Sequence, residues 1–140
     1  MMTDSAPARP LPDLLEPDTG PFWAATLRRE LLYGWCTHCG KPVFYPRRHC
    51  PGCGEGGVEH RVSAGSGTLY TFTVMRRHTD PFFASIAPYA VGYVDLDEGF
   101  RMLAGLSASD PGQLSCGQRV RLIWEEGSGC NFPLFTPVQP

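Results

Sequence analysis

The sequence has no run approaching the roughly 20 apolar residues that a membrane span needs. It has no basic excess either: 12 Lys and Arg stand against 14 Asp and Glu, a formal net charge of −2. The opening Met1-Met2-Thr3-Asp4-Ser5-Ala6 lacks a basic stretch followed by an apolar one, so no secretory signal is read there. Ser63, Ser66 and Ser85 have no histidine placed to activate them, and no motif surrounds His60 or His78. These absences speak against a membrane protein, against electrostatic capture of nucleic acid and against nucleophilic catalysis. Six cysteines without an export signal imply a reducing compartment, so the expected location is cytoplasmic.

What the chain does have is concentrated in Cys36-Thr37-His38-Cys39-Gly40 and its echo, Cys50-Pro51-Gly52-Cys53-Gly54. Each is a Cys-x-x-Cys followed by glycine. A thiolate pair at this spacing grips one ion if the backbone turns tightly around it, and Gly40 and Gly54 allow that turn. Two facing pairs make a four-thiolate tetrahedron, the closed site of structural zinc. A rubredoxin-type iron site has the same four ligands. Two disulfides would need an oxidising compartment. His38 and His49 are read as neighbours of the cage rather than ligands, because four thiolates already fill a tetrahedron. The same closure leaves no position for a catalytic water. Cys116 and Cys130 fall outside the pattern and are read as small apolar residues.

At 140 residues, 42% of them hydrophobic, the chain suits one compact domain or a small metal module joined to a small domain. Residues 1–19 are acidic, net −3, and rich in proline, which predicts a flexible tail. Residues 20–34 are expected to hold a short helix, starting at Thr19-Gly20-Pro21, and a lead-in strand. The helix's apolar face is read as Phe22, Trp23 and Leu27. Together with the helix and lead-in strand, residues 20–57 carry net +3 before a metal adds its cage charge of −2, and residues 35–57 form the ribbon. Its Pro42–Arg48 segment is expected as an exposed hairpin return. The metal must hold this module together, since it is too small for its own core.

Residues 58–140, net −2, read as β-structure. Gly67–Met75 mixes threonine with Leu69, Tyr70, Phe72 and Val74. An Arg76–Phe83 loop leads to a second strand over Pro88–Leu96. Asp97-Glu98-Gly99 turns into a third, Phe100–Leu106. After a linker, Arg119–Glu125 alternates, with Val120, Leu122 and Trp124 on one face. Asn131–Phe135 is the last strand. Five strands without an intervening helix pattern predict a mainly β fold, a small closed antiparallel five-stranded OB barrel behind the ribbon and helix. Gly65 and Gly67 would lie where the first long strand coils.

The ordered set of Phe22-Trp23, the four-cysteine ribbon with Pro46-Arg47 before its second knuckle, Ser66-Gly67-Thr68-Leu69-Tyr70-Thr71-Phe72-Thr73-Val74, Pro88-Tyr89, Val94–Gly99, Gly117–Leu122 and Phe135-Thr136-Pro137 carries a resemblance. Over residues 20–140 the chain is similar to acyl-CoA-associated OB-fold proteins with an N-terminal rubredoxin-like zinc ribbon. That resemblance implies a non-catalytic accessory subunit of a thiolase-superfamily enzyme, such as a thiolase, an acyltransferase or a steroid side-chain aldolase. It implies zinc on Cys36, Cys39, Cys50 and Cys53, assembly through ribbon and helix, and a barrel beside the acyl-CoA passage. Two accessory subunits on a central catalytic dimer are expected.

The residues expected to meet the partner are Phe22, Trp23, Leu27 and Tyr45, aromatics being enriched at interface centres. Arg47, Arg76 and Arg77 are candidates for the phosphates of CoA. An OB-fold nucleic-acid-binding module is the alternative, with Tyr70, Phe72 and Phe82 stacking bases. The acidic barrel weighs against it.

Overall fold

The computed structural model describes residues 7–108 and 110–138; the leader before residue 7 lies outside that range. The short helix α1 runs Gly20–Thr26, with proline in its first turn. Thr19 precedes it, but the Thr19 hydroxyl donates to Glu16 at 2.7 Å instead of capping the helix. The helix buries Phe22, Ala25 and Thr26. Those positions sit at i, i+3 and i+4 and share one face. Leu27 lies five residues past Phe22, which rotates it off that face, and it is 57% exposed. The apolar face is therefore Phe22, Ala25 and Thr26, not Phe22, Trp23 and Leu27.

The ribbon follows as β1 (Leu32–Cys36), β2 (Pro42–Val43) and β3 (Val58–Val62), a three-stranded sheet in the order β2-β1-β3. The sequence pattern groups residues 58–62 with the barrel. Their pairing with β1, Leu32 opposite Val62 through Cys36 opposite Val58, places them in the ribbon. The Pro42–Arg48 segment is also less exposed than expected. Val43 and Pro46 are buried, and the Phe44 ring stacks on Phe100 at 4.8 Å.

The barrel consists of β4 (Ser66–Met75), β5 (Tyr89–Leu96), β6 (Arg101–Leu106), β7 (Arg119–Glu126) and β8 (Asn131–Pro137), closed in the order β4-β5-β6-β8-β7. All five strands fall where the sequence pattern predicts them. One pairing does not match: β6 and β8 are parallel, Gly105 opposite Leu134. A ring with an odd number of strands cannot alternate direction all the way round, so one parallel pair is unavoidable. A second short helix, α2 (Pro81–Ile86), occupies the expected Arg76–Phe83 loop. Asp80 caps it, accepting from the Phe82 N–H at 2.9 Å, with proline in the first turn. Gly67 is required by close approach: a Cβ there would lie 2.6 Å from the Asp95 carbonyl oxygen.

Ribbon and barrel share one core. Phe22, Leu31, Leu32 and Tyr33 pack in the same cluster as Leu69, Val94, Phe100, Met102 and Phe135. Tyr33 stacks on Phe100 with centroids 4.9 Å apart. Asn131 at the head of β8 bonds Thr26 twice, N–H to Oγ1 and Nδ2 to the carbonyl oxygen, both at 3.0 Å. The leader is bound rather than loose over residues 7–19. Arg9 lies 3.7 Å from the Phe132 ring centroid and pairs with Glu125 at 2.9 Å, while Asp18 pairs with Arg48 at 3.3 Å. A proline-rich acidic segment finds its contacts in the barrel's aromatic rings and in charged side chains of barrel and ribbon, which composition alone does not reveal.

Candidate metal centre and partner-facing surface

The first knuckle closes where β1 ends and the second lies between β2 and β3. In each, the glycine after the second cysteine donates to the carbonyl of the first. Gly40 N–H reaches Cys36 O and Gly54 N–H reaches Cys50 O, both at 2.8 Å. Both glycines have positive φ, 70° and 77°, a region that L side chains rarely enter. The repeat in sequence is thus a repeat in geometry.

The four sulfurs converge, with all ligand atoms within 4.8 Å of one another. Cys36 Sγ and Cys53 Sγ are 3.7 Å apart, as are Cys39 Sγ and Cys50 Sγ. None is in a disulfide. A metal–sulfur bond of about 2.3 Å sets tetrahedral sulfurs about 3.8 Å apart, so these residues fit a tetrahedral thiolate-bound ion. Backbone N–H groups point at the sulfurs, Cys39 N–H to Cys36 Sγ at 3.4 Å and Gly52 N–H to Cys50 Sγ at 3.3 Å. The electrostatics differ around the cage. The N–H groups of Cys53 and Gly52 draw the Cys50 thiol down to about 7. The neighbouring Cys36 sulfur, then burial, pushes Cys39 up to about 12. Without an ion, the cage therefore holds some of its protons at neutral pH. A bound divalent cation would supply the positive charge that keeps all four as thiolates. Val43 and Val58 pack against the sulfurs and help exclude water.

Two family models match the chain in succession. Residues 23–59 match the ChsH2 rubredoxin-like zinc ribbon domain, and residues 60–125 the ChsH2 C-terminal OB-fold domain. A DUF35 domain-containing scaffold protein of Methanothermobacter thermautotrophicus is 33% identical over 71% of this chain and 74% of its own length. The chain belongs to the ChsH2, or DUF35, family. The benzoylsuccinyl-CoA thiolase subunit BbsA of Thauera aromatica is 34% identical over 79% of this chain and 71% of its own length. A solved structure described as the Ltp2-ChsH2(DUF35) aldolase contains a chain 28% identical to this one. The two superpose with a TM-score of 0.80 over 90% of this chain and 98% of that one. Some relatives are longer. The chain spans 39% of the 3-oxo-4,17-pregnadiene-20-carboxyl-CoA hydratase alpha subunit of Mycobacterium tuberculosis and 37% of a probable enoyl-CoA hydratase alpha subunit of Thermomonospora curvata.

The other predicted site residues of this ChsH2-family chain are divided by the fold. Phe22 is 1% exposed, in edge contact with Trp23, Phe44 and Tyr45. It supports the surface from beneath and presents no face to another chain. Trp23 is half-buried against Phe132, while Leu27 and Tyr45 are exposed. Trp23 and Tyr45 line one cavity of about 170 Å³ together with Leu103 and Pro133. The barrel's share of this surface escapes sequence reading. Tyr93 and Leu103 face each other across β5 and β6, both exposed, and Tyr45 lies near Tyr93. No sequence signal marks it: after Arg101, β6 reads Met-Leu-Ala-Gly-Leu, apolar at every position, and only the fold separates exposed Leu103 from buried Met102 and Ala104.

Arg47, Arg76 and Arg77 are all exposed, and none forms an ion pair among the described residues. Arg47 lies on the loop between β2 and β3, and Arg76 and Arg77 follow β4. A larger cavity of about 510 Å³ opens beside α2, between Tyr89, Leu106, Ala108 and Leu134, with Arg9 at its edge. Two of the candidate base-stacking residues are occupied. Arg101 covers the Tyr70 ring at 3.6 Å, and Phe82 packs on Phe83 at 5.1 Å. No helix of the described residues is long and apolar enough to cross a membrane.

Proposed function

We propose that this protein is a non-catalytic accessory subunit that binds and stabilises a thiolase-superfamily enzyme acting on acyl-CoA. The observation that carries this reading is the end-to-end superposition on a chain of the Ltp2-ChsH2(DUF35) aldolase, 98% of which is matched. The BbsA thiolase subunit supports the same class of partner. The chain's own chemistry agrees. Its one cluster of titrating side chains with metal-ligand geometry, among the described residues, is a closed cage with no open position for a substrate.

In this reading the ion on Cys36, Cys39, Cys50 and Cys53 is structural zinc: the four-thiolate tetrahedron suits zinc and iron alike, and the match of residues 23–59 to a zinc ribbon domain supports zinc. The contact surface for the partner is Trp23, Leu27 and Tyr45, resting on buried Phe22 and extended by Tyr93 and Leu103. Arg47, Arg76 and Arg77, in no ion pair among the described residues, offer cations to the phosphates of the partner's CoA substrate. Two such subunits on a catalytic dimer, in the cytoplasm, complete the proposal. Nucleic-acid binding fits less well, because the chain is acidic overall and Tyr70 already carries Arg101 on its face.

Co-expression with thiolase-superfamily enzymes of the same organism tests the reading. A complex that survives size-exclusion chromatography, with activity present only in the complex, is the expected result. Separate elution from every such enzyme, with no effect on solubility or turnover, would overturn it.

A further inference from the structure

Strand β3 is an edge of the ribbon sheet, because β1 lies between β2 and β3. Four of its five residues are exposed, Val62 at 53%. An open edge is a template for another strand. The direction of its polar groups follows from the bonds at its ends. Gly57 O accepts from the Thr37 N–H, and the Ser63 N–H donates to Leu31 O. Odd-numbered residues of this stretch thus turn their main-chain groups toward β1. By the alternation of antiparallel ladders, Val58, His60 and Val62 turn theirs outward.

The side chains of this edge are self-complementary. Val58-Glu59-His60-Arg61-Val62 reads as apolar, acid, His, base, apolar, symmetric about His60 except for the sign of the charge. We propose that β3 pairs antiparallel with β3 of a second copy of this chain, about a two-fold axis through His60. His60 then exchanges both main-chain bonds with the second copy's His60. Glu59 lies opposite the second copy's Arg61, and Arg61 opposite its Glu59. These are the non-hydrogen-bonded positions, where facing side chains come closest. Val58 meets Val62 at each end.

The register is determined by charge. Slipping two residues either way, the next register that the outward main-chain groups allow, sets Glu59 opposite Glu59, or Arg61 opposite Arg61. The charged pair is also held ready. Arg61 Nη2 lies 2.7 Å from Glu59 Oε1, and its guanidinium rests 4.3 Å from the Trp35 ring centroid, which keeps both side chains on one face. An edge of a single charge sign would repel its own copy; this one attracts it. A five-residue ladder buries far less than a stable interface of about 800 Å² per partner, so the association is weak and reversible. The pairing is independent of the accessory-subunit reading.

Analytical ultracentrifugation of the metal-loaded full chain tests it. The wild type is expected to dimerise as concentration rises toward about 1 mM. Glu59→Arg and Arg61→Glu are each expected to stay monomeric, since each sets like charges face to face. An equimolar mixture of these two variants should dimerise again. The first carries two arginines on this edge and the second two glutamates, so every facing pair between them is of opposite charge. Both variants lack the pair within one chain, so a merely local role cannot produce that rescue. A wild type monomeric at about 1 mM, a dimer that persists in both single variants, or a mixture that fails to associate would each overturn the proposal.

Discussion

The Glu98 carboxylate grips Ser63: Oε1 accepts from the Ser63 hydroxyl at 2.8 Å, and Oε2 from the next N–H, Ala64, at 2.7 Å. Ser63 Oγ in turn accepts from the Gly65 N–H at 3.0 Å. One side chain from the β5–β6 turn therefore pins the connection between ribbon and barrel. Bonds to a carboxylate are worth more than neutral ones. Glu98→Ala is expected to lower unfolding stability by about 1–2 kcal/mol in urea titration. A variant within about 0.3 kcal/mol of wild type would show that the connection is held by packing alone.

Removing a cage sulfur should act on assembly rather than on partner chemistry. Cys36→Ser is expected to lose the metal, read by elemental analysis, and to loosen the ribbon, read by amide exchange in β1 and β3. Zinc binding by the wild-type apoprotein at neutral pH should release protons, since Cys39 is held up at about 12 without metal. Calorimetry in buffers of different ionisation enthalpy reads that release. A Cys36→Ser protein that retains full metal content would reassign the cage.

Burial separates two residues that an apolar pattern groups together. Phe22→Ala should cost about 3–5 kcal/mol of stability, as removal of a buried aromatic ring does. Leu27→Asp, at a position 57% exposed, should leave stability within about 0.5 kcal/mol and weaken partner binding. Thermal melts and titration against the partner distinguish the two. Leu27→Asp binding the partner as tightly as wild type would remove Leu27 from the contact surface.

Arg119 clamps Asp97 with two bonds, 2.9 and 2.7 Å, and holds its carboxyl below the usual carboxylate value. A carboxyl whose folded value is depressed contributes stability above its unfolded value and loses it as pH falls through the folded one. Arg119→Gln should therefore destabilise at neutral pH, with the difference from wild type shrinking in strong acid. The effect should weaken with salt, because the pair is exposed. An Asp97 titration by NMR unchanged in the variant would show that the clamp does not operate in solution.

The cage and the barrel strands are legible in the sequence because each follows a local rule. Cys-x-x-Cys-Gly is a contiguous motif, and β7 alternates over neighbouring residues. The features that sequence misplaces depend on contacts distant along the chain. Leu27 is the local exception: it is apolar, but five residues past Phe22 the helical period alone carries it off the buried face. Strand β3, rich in charge, gains its identity only by pairing with β1. The leader's order rests on Arg9 meeting Phe132 and Glu125, more than 100 residues away. Helix α2 is different: Asp80-Pro81 is a readable start signal, masked because the helix is only six residues long.

The stacking of Tyr33 and Phe44 on Phe100 has a consequence for how such a chain can be divided. The family boundary between residues 59 and 60 runs through the middle of β3. A cut there would strip the barrel of the aromatic lid over Phe100 and leave the ribbon without its third strand. Ribbon and barrel thus share one hydrophobic core, and a polypeptide ending at that boundary is expected to behave as a fragment rather than as a smaller domain.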